Sequence, residues 1–355
     1  MQSFDVEKDY MPKNEKVFAL SYSSGSTLQT CEYKYACTKM YNTQPDVDSV
    51  QDYSAFRWGK ACHKVMEDTE WNILNFDYTV FEDALLQEGF LRVLPSGKLG
   101  ADDSQVVCAI YAACMSLFQL AKKQKLKTVK CEFEIKLPYL YGFIDAICTD
   151  NAGGWWIRDL KTSGRIMEGE LSARLSRDRQ LNLYALPDVL NLIEEELGLS
   201  PDDFLGVRYT VVSKTTIKDK TGESPKVYAS RVTPKVLDFE VPREMLHPEG
   251  ALDEQMKLVK KGLELRNKVR EPNRNLGSAS CYSYSRPCEY WSQCYGGLTV
   301  TEIKEKSICY NLDNVKDLSR KTKSTKTKTN KATEVETLTT DDLEDVGESN
   351  FEELF

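Results

Sequence analysis

The chain lacks a long hydrophobic run. No stretch of about 18 consecutive apolar residues, the length a membrane helix needs, stands out in its 355 residues, so no spanning helix and no membrane partner are expected. Residues 1–17 are polar and lack the apolar segment of a secretory leader. Positive charge is in deficit: 47 Lys and Arg stand against 55 Asp and Glu, for a net charge of −8. Taken over the whole chain, that balance argues mildly against a polyanionic partner. There is no G-x-x-x-x-G-K-[ST] phosphate loop, hence no nucleotide-driven motor. There is no tight C-x2-C knuckle of the kind common in zinc sites, and no internal repeat. Histidine is scarce, with two residues in all.

The charge is unevenly spread. Glu334 to Glu353 holds nine acidic residues and no basic one. Without this stretch the body is close to neutral, and a local basic groove is possible. The segment before it, Lys316 to Lys331, is basic and rich in Ser and Thr. Neither half carries enough apolar surface to fold, so residues 312–355 are expected to be a solvated tail. Its aromatic, acidic tip, Asn350 to Phe355, could dock a protein partner. Eleven cysteines without a leader suit a reducing, cytoplasmic setting, in an infected host cell if the chain is viral. Cys108, Cys114, Cys131 and Cys148 sit among apolar residues and read as small core side chains.

The expected organisation is a flexible leader (1–17), a helical part (20–127), a core (128–214), a further strand and long helix (225–271), and a Cys-rich segment (272–311). Hydroxyl residues from Ser21 cap a helix to Cys37 that places Leu28, Cys31 and Tyr35 on one face. Phe56 to Leu74 reads as a helix with His63 and Glu67 one turn apart. Phe81 to Gln124 is helical apart from a turn at Pro95-Ser96-Gly97. Thr128–Leu137 alternates like a strand, and Tyr141–Thr149 and Trp155–Lys161 are two more strands joined by a turn at Asp150 to Gly154. Ala173–Leu197 is helical, with Pro187 kinking or splitting it. Val207–Ser213 is a strand, Val227–Val241 another, and Arg243–Val269 a long helix. This order predicts an α/β fold with a central mixed sheet flanked by helices.

Within Asp159-x-Lys161, period-2 alternation puts both side chains on one sheet face, and pairing with the preceding strand can add Asp145. Two such carboxylates repel unless a cation lies between them. Hard oxygen ligands suit Mg²⁺ or Mn²⁺, and the lysine can polarise water or offset charge in a transition state. Downstream, Gln180 and Tyr184 share a helix face.

Gly142-x-x-Asp145, Asp159-x-Lys161-Thr162-Ser163 and Gln180-x-x-x-Tyr184, preceded by Gly59-x-x-x-His63 and the Ser26–Tyr35 segment, resemble the RecB-like, CRISPR-associated-exonuclease-like branch of the PD-(D/E)XK nucleases. The resemblance runs in order from Ser21 to about Val212. It implies a metal-dependent deoxyribonuclease with a PD-(D/E)XK core and a helical insertion near 77–126. It implies His63, Asp145, Asp159 and the Leu160 carbonyl as metal ligands, and Lys161 as the catalytic lysine. Gln180 and Tyr184 would position the lysine, the water or the DNA end. Glu67 and Glu134 would be accessory acids.

Cys281-x6-Cys288-x5-Cys294 looks like a ligand loop that is one thiolate short. The same branch has members with one upstream and three downstream cysteines on an iron–sulfur cluster, which implies Cys31 as the fourth ligand of a [4Fe–4S] centre. The x6 gap departs from some members, and Cys37 and Cys309 compete as ligands. The expected activity is an exonuclease on single-stranded or end-resected DNA in recombination, repair or replication. An endonuclease or nickase with the same site, a non-catalytic DNA-binding adaptor, and an RNA substrate are the alternatives.

Overall fold

The computed structural model describes residues 19–41, 54–94, 99–101, 104–274 (except 165, 167 and 216), 281–294 (except 284, 285, 291 and 292), and 333–334. The expected leader, Cys309 and almost all of the expected tail lie outside them. The chain divides into two compact units. One comprises Met1–Tyr53, Glu134–Gly142 and His247–Thr329, and the other Ser54–Phe133, Phe143–Leu246 and Asn330–Phe355.

In the first unit, Ser21 caps helix α1 (Tyr22–Thr30) by accepting from Ser24 N at 3.2 Å. The expected continuous helix breaks at Cys31, whose backbone is extended (φ −157°, ψ 111°). Cys31 instead caps a new turn, α2 (Glu32–Tyr35), its Sγ accepting from Lys34 N at 3.5 Å. A π-helical turn, Ala36–Met40, follows. The buried Glu32 ties this segment down: it accepts from Arg270 Nη1 at 2.6 Å and Asn273 N at 2.9 Å, and pairs with Lys261 at 2.8 Å. Burial would raise the Glu32 carboxyl, but these donors outweigh it and hold the pKa at about 2.

The second unit opens with α3 (Ser54–Asp68). This helix stops short of the expected Leu74 because Glu70 and Trp71 turn to positive φ (51° and 61°), folding Trp71 back under the helix. Helix α4 (Tyr78–Gln87) leads to a hairpin, β1 (Leu91–Val93) and β2 (Leu99–Ala101), where only a turn between helices was expected. Helix α5 (Ser104–Gln124) follows. By length and composition it could cross a membrane, contrary to the sequence expectation, yet 67% of its most apolar window is buried inside the protein.

Strands β3 (Lys127–Lys136), β4 (Tyr141–Thr149) and β5 (Trp155–Ser163) come next. The helix expected over 173–197, kinked or split at Pro187, is divided there and once more before it, into α6 (Glu168–Leu175), α7 (Arg179–Tyr184) and α8 (Pro187–Leu197). Asp178 starts α7 afresh by accepting from Gln180 N at 2.8 Å, and Pro187 opens α8. Strand β6 (Phe204–Ser213) follows. The strand expected over 227–241 is a helix, α9 (Pro225–Arg231), capped by Ser224, and then β7 (Val236–Pro242). The helix expected from Arg243 begins only at Pro248, as α10 (Pro248–Arg266) in the first unit. Short strands β8 (Tyr282–Ser283) and β9 (Arg286–Pro287) pair with each other. In the region expected to be unstructured tail, β10 (Thr333–Glu334) pairs with β2.

The sheet order is β3-β4-β5-β6-β7, with β5 and β6 parallel and the β4/β5 and β6/β7 pairs antiparallel. This is the mixed, helix-flanked sheet expected. Ala146, Cys148, Leu160 and Val212 bury one of its faces in a common core with α3, α4 and α5. Arg158 lies on that face too, 1% exposed. It donates to Gln124 Oε1 and stacks over Trp71 at 4.2 Å, a cation–π contact that shelters its charge.

Candidate active site

The β4/β5 ladder runs from Thr149/Trp155 to Ala146/Arg158 and then stops. The next residues in line are Asp145 and Asp159. Here Asp145 takes over the role of the ladder: its Oδ2 accepts from Leu160 N at 2.6 Å. Its Oδ1 lies 3.5 Å from Nδ1 of His63 on α3. Asp159 is fully buried (0% exposed), while Lys161 keeps 36% of its side chain in solvent. Lys161 Nζ is 2.8 Å from both Asp159 oxygens. Oδ2 is at ion-pair distance but accepts no hydrogen bond, and its lone pairs are left over. That oxygen has coordination capacity to spare beyond the Lys161 ammonium.

Among the described residues, the ligand atoms of His63, Glu132 and Asp145 all lie within 4.8 Å of one another. Glu132 was not among the residues expected from sequence. It sits on β3 with φ +48°, a strained conformation for a residue with a Cβ, and strain of this kind collects at functional sites. The period-2 pattern treats Glu132 and Glu134 alike, so only this backbone turn separates them. The one sequence signal was a pair of acids inside an apolar strand. Glu134 belongs to the first unit, paired with Lys136 and accepting from Tyr141 Oη at 3.1 Å. Glu67 pairs with Lys64 at 3.1 Å, one turn beyond His63.

Gln180 and Tyr184 bond to each other, Gln180 Nε2 donating to Tyr184 Oη at 2.7 Å. Tyr184 Oη donates in turn to the Phe143 carbonyl at 3.0 Å. The pair braces β4 two residues before Asp145. Leu160 reaches the site through its amide; the part expected of its carbonyl remains a proposal.

The electrostatics are those of crowded acids. Burial, aided by Asp145 and Glu67, pushes the Glu132 carboxyl up to about 7. Burial lifts Asp159 to about 6, Lys161 only partly offsetting it. Asp145 goes the other way: burial would raise it, but His63, Lys161 and the Leu160 amide together hold it down. Burial would lower His63, and Asp145 reverses that. Lys161 is likewise raised against burial by Asp159 and Asp145.

These directions predict a pH dependence. Unfolded, the two raised carboxyls titrate near 3.8 and 4.5; folded, near 6 and 7. Between those values the metal-free folded chain holds more protons than the unfolded one, so stability is lost as pH rises. His63, also raised, acts in the same direction. The thermal midpoint of metal-free protein is expected to fall from pH 5 to 8, and less steeply in Glu132→Gln. Mn²⁺ affinity should rise over the same range, with proton release. A midpoint that climbs with pH would contradict this.

Gly59, one turn before His63, lets α3 approach β5. A Cβ there would meet Thr162 Oγ1 at 2.8 Å, beside Lys161. Gly59→Ala should push His63 off Asp145 and slow cleavage by about 10- to 100-fold, with the fold retained. Circular dichroism and cleavage rates, measured together, test it.

In the first unit, Cys31, Cys37, Tyr33 and Tyr290 form a buried cluster against which Cys288 and Cys294 pack. Cys288 N donates to Cys281 O at 2.8 Å. Burial raises the Cys294 thiol to about 11, with Arg274 opposing and Cys31, Cys281 and Cys288 adding to the rise.

Residues 19–295 match the family model of the PD-(D/E)XK nuclease superfamily. A search of curated proteins found no match.

Proposed function

The chain belongs to the PD-(D/E)XK nuclease superfamily, and on that premise we propose that it is a metal-dependent DNA exonuclease of the RecB-like branch. Its substrate is single-stranded or end-resected DNA in recombination, repair or replication. The observation that carries the reading is the group of His63, Glu132 and Asp145, with ligand atoms within 4.8 Å of one another, next to the buried Asp159 and its Lys161 partner at 2.8 Å.

Asp145, Asp159, His63 and the Leu160 carbonyl would hold Mg²⁺ or Mn²⁺, with Glu132 at the edge of the set. Bound there, the ion supplies Lewis-acid activation of water and neutralises phosphate charge. The chain supplies the rest. Asp159 anchors the Lys161 ammonium, which donates to a non-bridging phosphate oxygen and offsets the charge growing there. The Gln180–Tyr184 brace keeps β4, and so Asp145, in place. A histidine nitrogen among oxygen ligands favours Mn²⁺ over Mg²⁺.

Cys31, Cys281, Cys288 and Cys294 are proposed to hold a [4Fe–4S] cluster that ties α1 and α2 to the segment after α10. One zinc ion needs sulfurs about 3.8 Å apart, from a Zn–S bond of about 2.3 Å. No three of these thiols lie within 4.8 Å of one another among the described residues. The wider spacing suits a cluster. Iron and sulfide analysis of protein purified without oxygen tests it, and an iron-free, colourless chain rejects it. The acidic segment 334–353 is proposed as a docking peptide for a protein partner. Unchanged partner and DNA binding after deletion of 332–355 would reject that.

End dependence is tested with linear and circular single-stranded DNA. Degradation of the linear form alone supports the exonuclease. Cutting of the circle makes it an endonuclease.

A further inference from the structure

Phe143 is 43% exposed, although most large apolar side chains of β4 and β5 are buried. It lies two residues before Asp145, and the burial pattern alternates: Phe143 exposed, Ile144 buried, Asp145 half-buried, Ala146 buried. Two residues along a strand advance about 6.7 Å, so the ring stands on the outward side of β4 within one nucleotide's reach of the acids. Tyr141, the next aromatic outward, spends its hydroxyl on Glu134. The Phe143 ring is hydrocarbon throughout, and at 43% exposure part of it faces solvent beside the charged cluster.

The backbone beneath the ring is held firmly. The Phe143 carbonyl accepts from Tyr184 Oη, which is itself fixed by Gln180. An aromatic side chain on a braced strand is a pre-organised platform, and pre-organisation lowers the entropic cost of binding. The ligand that fits an aromatic face one step from a phosphate-cleaving centre is a nucleobase.

We propose that Phe143 stacks the base of the nucleotide next to the scissile phosphate. This rests on the nuclease reading and deepens it. A base inside a duplex already has both faces covered, so the platform selects an unpaired strand or a frayed end. The Gln180–Tyr184 brace thereby serves two purposes, holding Asp145 on one side and the stacking platform on the other.

The test uses Lys161→Ala protein with Mg²⁺ and a single-stranded oligonucleotide. A single 2-aminopurine, whose fluorescence falls on stacking, is moved one nucleotide at a time along the strand. One position should be quenched on binding. In Lys161→Ala/Phe143→Leu that quench should vanish and affinity should fall by about 5- to 150-fold, the range of one stacked base. Phe143→Trp should restore both. Metal titration of each variant shows that the cluster of acids is intact. Equal quench and affinity with leucine would overturn the stacking role and leave the nuclease reading standing. Absence of metal-dependent cleavage by the wild-type chain on any strand would overturn both.

Discussion

Asp145→Asn is expected to lower metal-dependent cleavage at least about 10³-fold, since a catalytic metal supplies several kcal/mol and each 1.36 kcal/mol is a factor of ten. The substitution is close to isosteric. An asparagine oxygen still accepts from Leu160 N, so the splayed end of the β4/β5 ladder keeps its closing hydrogen bond. What is lost is the charge that raises His63 and would draw a cation in beside His63 and Glu132. Mn²⁺ affinity should collapse while the thermal midpoint of metal-free protein barely moves. Calorimetric titration and melting, run on one preparation, check both halves. A variant that binds Mn²⁺ like wild type would remove Asp145 from the site.

Gly206→Ala should destabilise the second unit by at least about 3 kcal/mol and lower its melting point by about 6–12 °C. Gly206 has φ +139°, and an added Cβ would meet the Val241 carbonyl oxygen at 2.2 Å and Arg243 N at 2.9 Å. These obstacles are backbone and cannot swing aside. The residue sits where the β5/β6 register shifts, between Trp155 and Trp156. Gly153→Ala is the control. Its φ is +93° but its Cβ would face open space, so only the conformational cost of about 1–2 kcal/mol should appear. Equal effects at the two glycines would mean that the close approach at Gly206 does not matter.

The strands that carry the candidate site were legible because their signals are local. Tyr141–Thr149 carries an apolar strand run, Asp150 to Gly154 forms a turn, and Trp155 begins the next run at the expected residue. From there Asp145, Asp159 and Lys161 converge by pairing alone. Glu132 was not legible, because its place depends on a single positive φ within β3 that the residue type does not encode. The early end of α3 was hidden for a related reason. Trp71 is drawn back by the buried Arg158, a partner 87 residues further on in the chain. The break at Cys31 has the same character: the helix pattern continues through it, but a buried Glu32 gripped by Arg270 and Lys261 starts a new turn. At α7 and α9 the stop and start signals were present in the sequence. Asp178 and Ser224 are N-caps, and they were overridden by reading longer apolar patterns across them.

The most direct test is end-labelled single-stranded DNA cleavage with Mn²⁺, comparing wild type with Lys161→Ala. Cleavage should require the metal and fall by about 10²–10³ in the variant, with Mn²⁺ binding retained. Equal cleavage by both proteins, or cleavage that survives excess chelator, would contradict a metal-dependent nuclease centred on Asp145, Asp159 and Lys161.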